Sequence, residues 1–209
     1  AYFCQVKDKT GKIIYRLPNH HFDIKATSPG RGTIVLLGGV IDYGEINRNL
    51  FWIRPNYVDT VYSTSDWTDV RPYYIIQRNN RAADYAWSVR MKVGDITRED
   101  AEREQLCNVY ALKSGLLFNY LFNPKQQGAG FCPANGKSKT ISRLFKNDID
   151  SYCPSIDLWQ AIAYKTLYQK EDYLYLLIDA FKFFEEGAKS PFPDLTEESN
   201  PVLVKLKLK

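Results

Sequence analysis

Residues 97–122 read TREDAEREQLCNVYALKSGLLFNYLF, and the class of the fold turns on their period. Thr97 stands three residues ahead of Asp100, with Glu99, Asp100 and Glu102 crowding what would be a first helical turn. A side-chain oxygen in that position caps free backbone N–H groups, and acids there meet the positive end of the helix dipole. Leu106, Val109, Tyr110, Leu112, Leu116, Leu117, Tyr120 and Leu121 then recur near helical spacing, until Asn123 and Pro124 stop the run. The stretch predicts one long helix, residues 97–122, packed by its Leu106, Val109, Leu117 and Leu121 side against a sheet.

Upstream the pattern is different. Residues 2–6 and 12–16 are β-prone runs around Asp8, Lys9, Thr10 and Gly11, which reads as a hairpin. Residues 33–37, 50–53, 57–63, 73–77 and 85–93 supply further short strands, with Pro55 and Pro72 at their boundaries. No helical pattern separates them, so they suit an antiparallel, meander-like sheet rather than βαβ units. Downstream, residues 123–153 form a long polar connection. Two helices follow, one capped by Ser155 and one from Glu171 closed by Gly187. The tail from Val202 alternates Val204, Leu206 and Leu208 with Lys205, Lys207 and Lys209, the period of an edge strand. The expected fold is a single α+β domain over residues 1–209. Residues 1–95 are its strand-rich part, and residues 96–209 are mainly helical with a final edge strand.

The 209 residues suffice to bury a core without metals or staples. No apolar run approaches the ~20 residues a membrane-crossing helix needs, so no membrane span is expected. The net charge is +4, with Lys and Arg interspersed among Asp and Glu. The linear sequence holds no basic cluster, so nucleic acid is not indicated as a partner. Aromatic residues are abundant, with 15 Tyr, 11 Phe and 4 Trp. Tyr and Trp suit core margins and interfaces, where one end is apolar and the other wet.

The four cysteines, Cys4, Cys107, Cys132 and Cys153, show no C-x-x-C spacing for zinc or redox work. Cys132 and Cys153 flank one hydrophilic loop and form the natural disulfide pair, leaving Cys4 with Cys107. All four are equally readable as free, buried thiols. The bonded reading requires an oxidising compartment, secreted or periplasmic. Cys132 also sits among glycines, as a nucleophile would, but Pro133 offers no N–H for an oxyanion hole. His20 and His21, beside Asp23, are the chain's two histidines and offer a loop acid–base or metal pair, with no H-x-x-x-H spacing or Cys partner near in sequence. No metal site is expected.

One order of residues carries a resemblance. Arg16 ends an early strand, Ser63, Thr64 and Ser65 end a later one, and Glu102-Arg103-Glu104 follows. Arg, then Ser-Thr-Ser, then Glu-x-Glu resembles the signature of cholera-toxin-like mono-ADP-ribosyltransferases. In that family the Glu-x-Glu stands at a loop–strand junction, and a helix follows the Ser-Thr-Ser. The resemblance implies NAD as cofactor. Arg16 would hold the pyrophosphate or ribose, Ser63 and its neighbours would brace the nicotinamide, Glu104 would stabilise the ribosyl cation and Glu102 would activate the acceptor.

Beside that alternative, the residues as a whole describe a non-enzymatic binding, adaptor or assembly protein, with no cofactor. An aromatic-rich surface would meet another macromolecule, most simply another protein. Trp52, Trp67 and Trp87, each in or beside a predicted strand with polar neighbours, are the candidate contact residues, or else ordinary core.

Overall fold

The computed structural model describes residues 2–18, 41–55, 57–77, 80–84, 86–87, 90, 97–122, 126–136, 139–141, 144–145, 156–185 and 192–207. Strands β1 (Tyr2–Lys7) and β2 (Ile13–Pro18) form a hairpin. Its turn is held by the Asp8 carboxylate, which accepts from Thr10 N, Thr10 Oγ1 and Lys12 N at 2.6–3.0 Å. Gly11 supplies the positive φ, 86°, that the turn needs. Strands β3 (Ile41–Asn47), β4 (Leu50–Pro55), β5 (Thr60–Thr64) and β6 (Arg71–Ile75) pair antiparallel in chain order.

Residues 97–122 are not a helix. Thr97 and Asp100 do exchange hydrogen bonds, Asp100 N to Thr97 Oγ1 at 3.1 Å and Thr97 N to Asp100 Oδ2 at 3.2 Å. They start only a 3₁₀ turn, Asp100–Glu102. Strands β7 (Glu104–Ala111) and β8 (Gly115–Phe122) follow, joined through Leu112, Lys113 and Ser114. The reason is two-sided burial. Cys107, Asn108, Val109, Tyr110, Ala111 and Leu112 are all buried, and a strand covered on both faces reads as a continuous apolar run rather than an alternating one. Against such a run helical spacing matches by coincidence. Gly115 decides the turn. A side chain there would collide with the Cys132 carbonyl oxygen and the Phe131 ring, and its φ is 156°.

The long loop expected at 123–153 contains strands too. β9 (Gln126–Pro133) pairs with β8, β10 (Lys139–Ile141) pairs with β9, and β11 (Leu144–Phe145) pairs with β12 (Ile156–Asp157). Helix α1 (Leu158–Ala163) starts later than expected, with Asp157 rather than Ser155 as its cap, accepting from Gln160 N at 3.1 Å. The helix expected from Glu171 is instead part of a sheet, β13 (Tyr168–Lys170), β14 (Tyr173–Ile178) and β15 (Val202–Lys207), in that order. Among the described residues of that stretch, only α2 (Lys182–Glu185) is helical. Ala86 and Trp87, expected in a strand, lie in a helical turn. Strands account for most of the described residues and helix only for short segments, so a set of several small antiparallel sheets replaces the α+β expectation.

The sheet β7–β10 lies at the centre, and its two faces feed two cores. Val109, Ala111 and Leu116 pack with Ile46, Trp52 and Val61 of the β3–β6 sheet. Tyr110, Leu117, Ala129 and Phe131 pack on the other side with Leu158 and Ile162 of α1 and Leu174, Leu176 and Ile178 of β14. The β7–β8 register shifts between Leu106 and Val109, and within that shift Asn108 N donates to buried Asn119 Oδ1 at 2.8 Å. That accounts for an asparagine in mid-strand.

A buried ion pair links β3 to β4 within one sheet, and its carboxylate also reaches β7. Arg54 Nη1 donates to Asp42 Oδ2 at 3.1 Å, and the same oxygen accepts from Val109 N at 3.1 Å. Lys165 Nζ stands 3.3 Å from Asp42 Oδ1. Burial pushes the Asp42 carboxyl above its ordinary range, and the charges of Arg54 and Lys165 pull it back.

Candidate interaction face

Strand period decides which side chains of the β13–β15 sheet meet water. On β14, Leu174, Leu176 and Ile178 are buried while Tyr173, Tyr175 and Leu177 point outward. On β15, Val202, Val204 and Leu206 pack toward the core, and Leu203, Lys205 and Lys207 are exposed. On β13, Gln169 is buried between exposed Tyr168 and Lys170.

The register brings these outward residues side by side. Tyr175 lies between Tyr168 and Lys205, Tyr173 between Lys170 and Lys207, and Leu177 opposite Leu203. Ring centroids are 6.4 Å apart for Tyr168–Tyr175 and 6.5 Å for Tyr173–Tyr175. Lys205 Nζ sits 3.7 Å from the Tyr173 centroid and 5.9 Å from that of Tyr175. Lys207 Nζ is 5.6 Å from the Tyr173 centroid. These are cation–π distances. Tyr168, Leu177 and Leu203 expose 63–65% of their surface. The outward positions thus hold three tyrosines, three lysines and two leucines, with no acid among them.

The underside of this sheet is anchored by one side chain. Gln169 Nε2 donates to Ala111 O at 2.5 Å and to Glu45 O at 3.0 Å, and Gln169 Oε1 accepts from Trp52 Nε1 at 3.0 Å. One buried amide therefore bonds to β3, β4 and the end of β7. At the hairpin tip Asp172 Oδ1 accepts from Ser114 N at 2.8 Å, tying it to the β7–β8 turn.

Compared with protein-family models, characterised proteins and solved structures, the chain matches none. Its function has to be argued from its own side chains.

The residues singled out in the sequence fall elsewhere. Trp52 and Trp87 are core, 1% and 6% exposed, and their ring N–H groups go to Gln169 Oε1 and, at 2.9 Å, to Asp100 O. Trp67 is half-buried, with its ring 6.0 Å from Tyr15 and 6.5 Å from Phe51. Its φ of 66° is a conformation that glycine or asparagine adopts more readily.

Arg16 is exposed on β2, Ser63 half-buried on β5, and Glu104 half-buried at the start of β7. These strands belong to three different sheets. Glu102 is exposed in the 3₁₀ turn.

The disulfide expectation is overturned. Cys132 is a free thiol, 3.5 Å from the Gly136 carbonyl oxygen, and Cys107 is free and buried. Burial pushes the Cys107 thiol up to about 12, so it remains protonated at neutral pH. The hydrophilic stretch after Cys132 is held by β10 on β9 and β11 on β12 instead of by a bond. Cys153, His20, His21 and Asp23 lie outside the described residues. Among the described residues no helix is long and apolar enough to cross a membrane.

The outward Tyr and Lys of β14 and β15 had a partial signal in sequence. The tail alternation showed the lysine side of β15. Tyr173 and Tyr175 sat in a stretch read as helix, where their i, i+2 spacing puts them on different faces.

Proposed function

We propose that this chain is a non-enzymatic binding protein that meets another macromolecule through the outer face of the β13–β15 sheet. The observation that supports this is the outward-facing array of exposed Tyr168, Lys205 and Lys207 around half-buried Tyr173 and Tyr175, with no acid at these strand positions and exposed Leu177 and Leu203 at its end. Exposed leucines beside tyrosines are costly to leave in water, and such patches mark interaction sites. Aromatic rings with cationic neighbours serve protein partners and nucleic acids alike. A photo-crosslinking residue at position 177 tests the reading, with one at position 9, in the β1–β2 turn, as the control. Covalent adducts formed in cell extract at 177 and not at 9 are the expected result. Equal or absent adducts at both positions would remove the face from consideration.

A second reading, NAD-dependent mono-ADP-ribosyl transfer, draws on one observation. Glu104 stands where a 3₁₀ turn passes into β7, the kind of junction the resemblance calls for. Against it, Arg16, Ser63 and Glu104 come from three sheets, and residues 65–69 form bends, not a helix. Calorimetry with millimolar NAD decides it. Binding that Glu104→Ala abolishes without unfolding would favour the transferase.

A further inference from the structure

We infer that the partner of the β13–β15 face is a single-stranded nucleic acid, its bases stacked on Tyr168, Tyr175 and Tyr173 and its phosphates met by Lys170, Lys205 and Lys207. This rests on the binding reading above and gives it a chemical class.

Charge is the first ground. The chain as a whole carries only +4, and its basic residues are scattered in sequence. Strand pairing gathers Lys170, Lys205 and Lys207 around Tyr173 and Tyr175 and places no acid among them. An anionic partner fits, and a neutral or basic one does not.

Ring spacing is the second ground. The separations of 6.4 and 6.5 Å are about twice the 3.4 Å rise of each strand in a stacked duplex. The rings are tilted to one another by 51° and 53°, so they offer separate platforms, one base to each, as on other sheet faces that bind extended single strands. A duplex, whose bases are already stacked, could not use the rings.

The choice of cation is the third ground. A face built for carboxylates favours arginine, whose fork grips both oxygens. All three cations here are lysines, point charges on flexible stems, which suit phosphates of varying position. Lys205 Nζ rests 3.7 Å over the Tyr173 ring with Lys207 Nζ within 5.6 Å. When a base takes that ring, Lys205 has only to swing on its stem to reach the phosphate of the same nucleotide.

The test uses the full chain and fluorescein-labelled 12-mers of mixed sequence, as single-stranded RNA, single-stranded DNA and DNA duplex, with a 12-residue polyglutamate as the acidic-peptide control. Anisotropy at low salt should show either single strand bound at least tenfold more tightly than duplex or polyglutamate, and the RNA and DNA arms show which sugar is preferred. Tyr173→Ala and Tyr175→Ala should each weaken single-strand binding about tenfold with unchanged circular dichroism. Lys205→Gln and Lys207→Gln should each lower the slope of log K against log salt by about 0.7. Tyr175→Phe, which keeps the ring, should bind as the parent does. Duplex or polyglutamate bound as well as the single strands would overturn the inference, as would tyrosine variants that bind normally. Protein adducts at position 177 without oligonucleotide binding would overturn this inference and leave the binding reading standing. Absence of both would remove both.

Discussion

Asp42 shows how much one carboxylate can hold. It bonds Arg54, the backbone of Val109 and Lys165 at once, with Arg54 only 1% exposed. Removing one partner of a buried pair strands the other charge, so Asp42→Ala should cost about 3–5 kcal/mol in urea unfolding. Replacing both, Asp42→Leu with Arg54→Met, should recover most of that loss, because well-packed apolar pairs often equal a buried ion pair. Asp100 carries the pH dependence. Two hydrogen bonds from Arg90, at 2.7 and 3.2 Å, hold its carboxyl well below the usual carboxylate range, with help from Thr97. A depressed folded pKa gives stability that is present above the unfolded value near ~3.9 and is lost as pH falls toward the folded one. The stability difference between the parent and Asp100→Asn should therefore be flat from pH 7 to about pH 5 and shrink in more acid solution, as read by urea titrations at each pH. Asp42, raised by burial, has the opposite slope. The Thr97–Asp100 reciprocity was legible in the sequence. What followed it was not, because a cap announces a first turn and says nothing of how many come after.

At the scale of elements, β8 and β9 fit each other through glycines. Phe118 lies directly across from Gly130, and Tyr120 across from Gly128, and a Cβ at either glycine would run into the facing ring. Gly130→Ala should cost about 1–3 kcal/mol by overpacking. In a double-mutant cycle with Phe118→Leu the two changes should couple favourably, the smaller side chain opening room for the new methyl. Additive losses would mean that the ring is not what fills the glycine's space. The same pair explains why β9 was read as loop. Gln126-Gln127-Gly128-Ala129-Gly130 has low strand propensity on its own, and only its neighbour's aromatic rings make it a good strand. β7 and β8 failed to read as strands for the converse reason, an apolar supply on both faces that hides period 2. The elements legible from sequence were those bounded by strong local punctuation, such as the β1–β2 turn at Asp8 and Gly11 and the tail alternation of β15.

Across the whole molecule, the arrangement of charge is a product of pairing. Lys170 and Lys205 are 35 positions apart in the chain and meet at Tyr173 only because β13 and β15 flank β14. No linear reading of charge could see that face. The tryptophans misled for a related reason. Each has polar neighbours in sequence, but Trp52 and Trp87 send their N–H groups to partners that lie 117 and 13 residues away and are buried with them. Gln169→Leu should expose the dependence. It leaves the Trp52 N–H and two backbone carbonyls without their partner, and each unsatisfied buried group costs about 1–3 kcal/mol. A loss in urea unfolding below 1 kcal/mol would mean that the joint is replaced by other contacts.

That amide also governs time. Because Gln169 bonds to three strands outside its own sheet, β13 cannot lift away without loosening β3, β4 and the end of β7. The outer sheet therefore lacks an opening rhythm of its own. In deuterium exchange the amides of residues 168–170 should lose protection together with those of residues 45–52, as one cooperative unit. In Gln169→Leu the two sets should separate, with residues 168–170 exchanging first.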